Sequence, residues 1–169
     1  MKSGEELQQH LYTLLQRLQE MARELPEQFQ QRIPNELLAG LANCLLNETI
    51  FEIVRGLTEI QHGTEKQLLQ QRMQLLQRHK GKYSRSSKRH REKHPALIEE
   101  EKNELLVKQR QEVEEADMNL IRQLDQLVAN QQATLQKVGV PGFHETTNQQ
   151  EIQVQTYLLD FINKLDKLG

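Results

Sequence analysis

The sequence predicts an all-α protein: an elongated antiparallel helical bundle or coiled coil with two long central helices and shorter terminal helices. Three observations point there. Leucines recur at alternating spacings of three and four over long stretches, the period of a helix that packs along a narrow seam. The chain is rich in Leu, Gln, Glu, Lys and Arg, yet only 4% aromatic and without Trp, which suits long helices better than a thick globular core. No segment shows the alternation of a strand. At 169 residues the length fits a single all-helical domain.

The first helix is expected over 5–25. Leu7, Leu11, Leu14, Leu18, Met21 and Leu25 form an a/d stripe nearly three heptads long. Pro26 ends it, because the proline ring clashes with the preceding turn. A single turn carrying Phe29 fits between Pro26 and Pro34. A short apolar helix follows over 35–46, with Asn35 as its expected cap and Leu37, Leu38, Leu41, Leu45 and Leu46 facing inward.

A long helix is expected over 50–79, opened by a capping box of Thr49 and Glu52. Its stripe reads Ile53, Gly56, Ile60, Gly63, then Leu69, Met73 and Leu76. Glycine inside a helix costs about 1 kcal/mol relative to alanine. Two of them on one stripe point to a close approach by a neighbouring backbone, internal or between chains, the alternative being that Gly63 merely loosens the helix at QHGTEK.

Residues 80–94 read as a basic connection, with Gly81 and three serines as breakers. Across 78–94, eight Lys or Arg face one Glu. Since the whole chain carries −2, the remainder is strongly acidic. Lys88, Arg89, Arg91 and Lys93 are the candidate import or binding residues. With one aromatic in the run, Tyr83, base stacking has little support.

Pro95 suits a first helical turn, and a second long helix is expected over 95–138. Leu106, Val113, Leu120 and Leu127 recur every seven residues, joined by Leu124 and Val138. Arg110, Asp117 and Gln131 fall on the same seam, where polar residues weaken packing but help fix register. Gly139 and the Val140-Pro141-Gly142 turn end it. The last helix, 148–168, opens at Asn148 with Glu151 at capping-box spacing. It carries Val154, Leu158, Phe161, Leu165 and Leu168.

Three blocks, ELPEQFQQRI (24–33), TIFEIVRGLTEIQHGTEKQLLQQR (49–72) and QQATLQKVGVPGFHETTN (131–148), resemble the gonadal protein family. That family takes in the insect gonadal protein and the vertebrate DiGeorge syndrome critical region protein. The likeness covers most of the chain and is weakest in the first twenty residues and the basic connection. It implies a coiled-coil protein linked to gonadal expression and embryonic development, with nuclear residence. It implies no catalytic residues.

The residues themselves suggest no enzyme and no cofactor. His90 and His94 lie four apart, but Arg91 and Lys93 stand beside them and no third ligand is near, so no metal is expected. Cys44 reads as a small buried side chain, and His62 as a seam-edge residue. The N-terminus lacks the apolar run of a signal peptide. No stretch approaches 18 apolar residues, so no membrane span is expected. The chain is therefore read as intracellular, in the nucleus, the cytoplasm or both. The expected role is a non-enzymatic interaction or adaptor protein binding protein partners through its seams, self-association included. Gly56, Ile60, Gly63, Leu124 and Leu127 form the candidate interface. The alternative is a nuclear nucleic-acid binder acting through 78–94.

Overall fold

A computed structural model describes residues 3–89 and 94–168. Among them it is all-helical, with six helices: α1 (Gly4–Arg23), α2 (Glu27–Gln30), α3 (Asn35–Cys44), α4 (Thr49–Arg89), α5 (Pro95–Lys137) and α6 (Gln149–Leu168). The chain divides into two compact units. Unit 1 comprises residues 1–60 and 128–169, and unit 2 comprises residues 61–127. Both α4 and α5 contribute to each unit.

Unit 1 holds the main core. Leu14, Leu18 and Ala22 of α1, Leu38, Leu41 and Ala42 of α3, and Leu158, Phe161, Ile162 and Leu165 of α6 are buried together. The start of α4 adds Ile50 and Val54, the end of α5 adds Leu135, and the following turn adds Val140 and Phe143. The stripes read on α1, α3 and α6 are thus the buried ones, with Leu7 and Leu168 exposed at the ends.

Local hydrogen bonds set the helix ends. Ser3 and Glu6 form a full capping box on α1, at the three-residue spacing of that motif. Gln30 donates to the carbonyls of Arg23 and Leu25 and so closes the end of α1. Two expected caps need correction. Asn35 is the first residue of α3 and Pro34 its cap, without a side-chain bond. Thr49 lies inside α4, and Asn47 takes the capping role by accepting from the Thr49 amide at 3.1 Å. A proline or asparagine just upstream supplies a suitable entry, so the cap moves back one or two residues. At α6 the expectation holds for Asn148, whose Oδ1 accepts from Gln150 and Glu151 amides. Glu151 turns to Thr146 and His144 instead of closing a box.

The turn between α5 and α6 uses two glycines with positive φ. At Gly139 (φ 85°) the Val140 amide reaches back to the Leu135 carbonyl at 3.0 Å, a Schellman closure. At Gly142 (φ 88°) an added Cβ would lie 2.8 Å from Leu158 Cδ1 and 3.3 Å from a Leu37 methyl. Only glycine fits there without strain. Glutamines complete the turn. Gln132 donates to the Thr146 carbonyl and to Gln155 Oε1, and accepts from the Thr146 amide. Gln155 donates to the carbonyls of Gly142 and His144. Both glutamines are buried, and this exchange satisfies them.

The long helix α4 departs from expectation at its far end. It does not stop at residue 79 but continues through Gly81 and the serines to Arg89. Lys and Arg are good helix formers, and side chains of α5 meet α4 where the extension begins. Glu112 meets His79 at 2.7 Å, Gln109 donates to the His79 carbonyl at 2.9 Å, and the Lys102 ammonium lies 6.0 Å from the Tyr83 ring centre. Tertiary contacts here outweigh local breakers.

Candidate interaction surface

The buried stripe of α4 is not the one its leucine and glycine spacing suggested. In unit 1 the helix buries Ile50 and Val54, with Leu57 half-buried. In unit 2 it turns Leu68, Arg72, Leu75 and His79 toward α5. These positions sit one residue before the expected Leu69, Met73 and Leu76. A step of one residue is about 100° round a helix. The expected stripe therefore lies on the flank: Leu69 is 59% exposed, Met73 52% and Leu76 40%. The physical reason is that α4 carries two adjacent apolar stripes in this stretch, and α5 covers one.

The contacts between α4 and α5 within unit 2 are polar at several points. Arg72 makes a two-pronged bond to Asp117, at 2.9 and 3.4 Å. The Asp117 carboxylate, bonding to it and close by, pushes the guanidinium pKa up. His79, buried at 7% exposure, bonds Glu112, and this bond holds the Glu112 carboxyl below the usual range against some opposing desolvation. Partner numbers fall along α5 as they rise along α4, as in an antiparallel pair. The same seam thus carries leucines and charge pairs, with register fixed by the pairs.

On α5 the residues turned inward include Gln109 and Glu112. Beside them lie Leu106, Val113, Leu120 and Leu124, of which Leu120 also lines the groove toward α4. Leu106 is exposed and the other three half-buried. Because α4 and α5 run in opposite senses here, the one-residue step turns both flanks to the same side of the pair. Between the two helices lies a shallow groove that the inward Leu68, Leu75 and Leu120 line together with Gln71, Gln74 and Gln123. Unit 2 therefore leaves apolar side chains of both helices, Leu69, Met73, Leu76 and Leu106, exposed on one flank. Val107, Met118 and Ile121, also exposed, lie further round α5.

The candidate residues are distributed as follows. Gly56 and Ile60 belong to unit 1, and Gly63, Leu124 and Leu127 to unit 2. Ile60 is 57% exposed. No described atom lies within 4 Å of a Cβ added at Gly56 or Gly63. The internal form of the close approach expected at these glycines is thus not made. Leu124 lies on the apolar side of unit 2, and Leu127 is half-buried. Lys88 and Arg89 fall in α4; Arg91 and Lys93 lie outside the described residues, as does His90. Among the described residues no group of three His, Cys, Asp or Glu could hold a metal ion. Cys44 is half-buried, and burial pushes its thiol pKa up.

No single described helix is long and apolar enough to cross a membrane. The bent pair of α3 with the start of α4 passes by length and composition only, and α3 spends its leucines in the unit 1 core.

The sequence pattern of the DiGeorge syndrome critical region 6 (DGCR6) protein family matches residues 2–169. The chain belongs to this family. It is 42% identical to gonadal protein gdl of Drosophila melanogaster over 162 residues, covering 96% of this chain and 82% of that protein. It is likewise 42% identical to protein DGCR6 of Gallus gallus over 171 residues, covering 95% and 86%. No solved structure matches it. The DGCR6 family pattern runs through both units, so the α4–α5 pair of unit 2 lies within the family's own span.

Proposed function

We propose that this DGCR6-family chain is a non-enzymatic interaction protein that binds protein partners through an open helical face. The reading includes the elongated antiparallel bundle, built on α4 and α5 as long central helices. It also includes the adaptor, nuclear and developmental role implied by the family resemblance. One observation carries it: Leu69, Met73 and Leu76 are 40–59% exposed in heptad spacing on a helix that already has a partner on its adjacent stripe. Apolar side chains exposed singly need no explanation, but a contiguous stripe marks a binding surface.

The test is affinity purification with mass spectrometry, comparing the natural chain with a Leu69→Glu, Met73→Glu, Leu76→Glu variant. Specific partners should be lost from the variant while its helical circular dichroism is retained. Identical partner sets would sink the reading.

The continuation of α4 to Arg89 favours a second reading, in which a basic helix tip binds nucleic acid through 78–94. Neutralising Lys88, Arg89 and Arg91 should then abolish binding and flatten its dependence on salt. A change in location alone would mark an import signal instead.

A further inference from the structure

We infer that the apolar side of unit 2 is covered by a second copy of this chain, α4 of each copy lying against α5 of the other in an antiparallel four-helix arrangement. This rests on the interaction reading above and names its partner.

The first argument is charge. Residues 61–86 of α4 carry six Lys or Arg against one Glu, a net +5. Residues 98–127 of α5 carry nine Asp or Glu against four Lys or Arg, a net −5. One half of the pair is basic and the other equally acidic. Two copies can meet face to face with the two-fold axis along the helices, so that α4 faces the other α5, or with the axis across them, so that like faces like. Like charges aligned along a helix pair are destabilising. The first arrangement gives every basic helix two acidic neighbours, and it is self-complementary, as an isologous interface requires.

The second argument is area. At 1.5 Å per residue, Leu69–Tyr83 extends ~21 Å and Leu106–Leu124 ~27 Å. Two helices side by side are ~20 Å wide. Each copy thus offers ~500 Å² and the pair ~1,000 Å², the size at which specific association begins. Within one copy the reward is small: Leu68 is the one buried apolar side chain among the described residues of unit 2. Long helices gain most of their stability from packing, and a second layer would supply it.

The register follows from the salt bridge. Arg72 and Asp117 are level, so Leu76, four residues on, is level with Val113, four residues back. An axis along the helices preserves height. Leu76 of one copy therefore meets Val113 of the other, and Tyr83 meets Leu106. Arg110 comes level with Lys80, the least favourable point of the face; Arg110→Leu should tighten the dimer severalfold.

The experiment uses the full chain with Cys44→Ser, in two single-cysteine forms, Leu76→Cys and Val113→Cys. Sedimentation should show a dimer, and mild oxidation should cross-link the mixture of the two forms while leaving each alone uncross-linked. Leu76→Glu should give a helical monomer, since this side chain is already part-exposed and its charge costs the single copy little. Cross-linking of either form by itself, or a dimer that fails to cross-link when mixed, overturns the pairing. So does a natural chain that stays monomeric to ~0.1 mM, a concentration at which even weak contacts of about −5 kcal/mol begin to show. That last result would leave the broader reading standing, for it falls only if the triple-Glu variant keeps every partner.

Discussion

In unit 1, Leu18, Leu41, Leu135, Leu158 and Ile162 are shut off from solvent by neighbours on several helices. In unit 2, Leu68 is buried while Leu69 beside it stands more than half exposed. Both regions are built from the same heptad leucines. What differs is the number of neighbours. A helix surrounded on several sides buries all its apolar width. A helix with one partner buries a single stripe, and its charge pairs, Arg72 with Asp117 and His79 with Glu112, then carry much of the specificity.

The sharpest break of this contrast is truncation. Leu158→Ala in unit 1 should cost ~2–5 kcal/mol, because it removes packing and leaves a cavity. Leu69→Ala in unit 2 should stay within about 0.5 kcal/mol for the isolated chain. Urea titrations of both variants at low concentration check this, and comparable losses would erase the distinction. Next comes Gly142→Ala, expected to cost ~1–3 kcal/mol through its positive φ and the crowding at Leu158. Thermal melts would show it, with Gly63→Ala as control, which should be neutral or stabilising because its Cβ meets open space and alanine favours helix. Gln155→Leu should cost ~1–3 kcal/mol by leaving the Gly142 and His144 carbonyls without their donor; hydrogen exchange should then quicken across 139–148.

The smallest effect is in acid. Glu112 is held below the usual carboxylate range by its bond from His79, and Glu151 by bonds from Thr146 and then His144. A carboxyl with a depressed folded pKa stabilises fully above its unfolded value, about 4.3 for Glu. That stabilisation is lost as pH falls through the folded value. Melting temperature should therefore decline below about pH 4.3, and Glu112→Gln should shallow the decline. Both carboxylates are solvent-accessible, so added salt should shrink the difference.

How much of this was legible depended on how many faces a helix buries. The stripes of α1, α3 and α6 could be read because each helix has one dominant apolar face, so spacing alone picks it. On α4, leucines at 68, 69, 75 and 76 make two stripes one residue apart, and spacing cannot say which one α5 takes. Arg72 and His79 decide that, through partners forty-five and thirty-three residues away. Gly81 and the serines looked like breakers because local propensity was the one guide to them. The candidate interface shows the same limit. Heptad spacing puts Leu69, Met73 and Leu76 on the packed seam, whereas they lie exposed on its flank.

The irregular stretch from Gly139 to Asn148 owes its shape to amides that sit elsewhere, Gln132 and Gln155. The shape of this segment therefore depends on two side chains that belong to its neighbours. Slow chemical ageing that turned either amide into an acid would swap a donor for an acceptor and leave the carbonyls it serves without their partner.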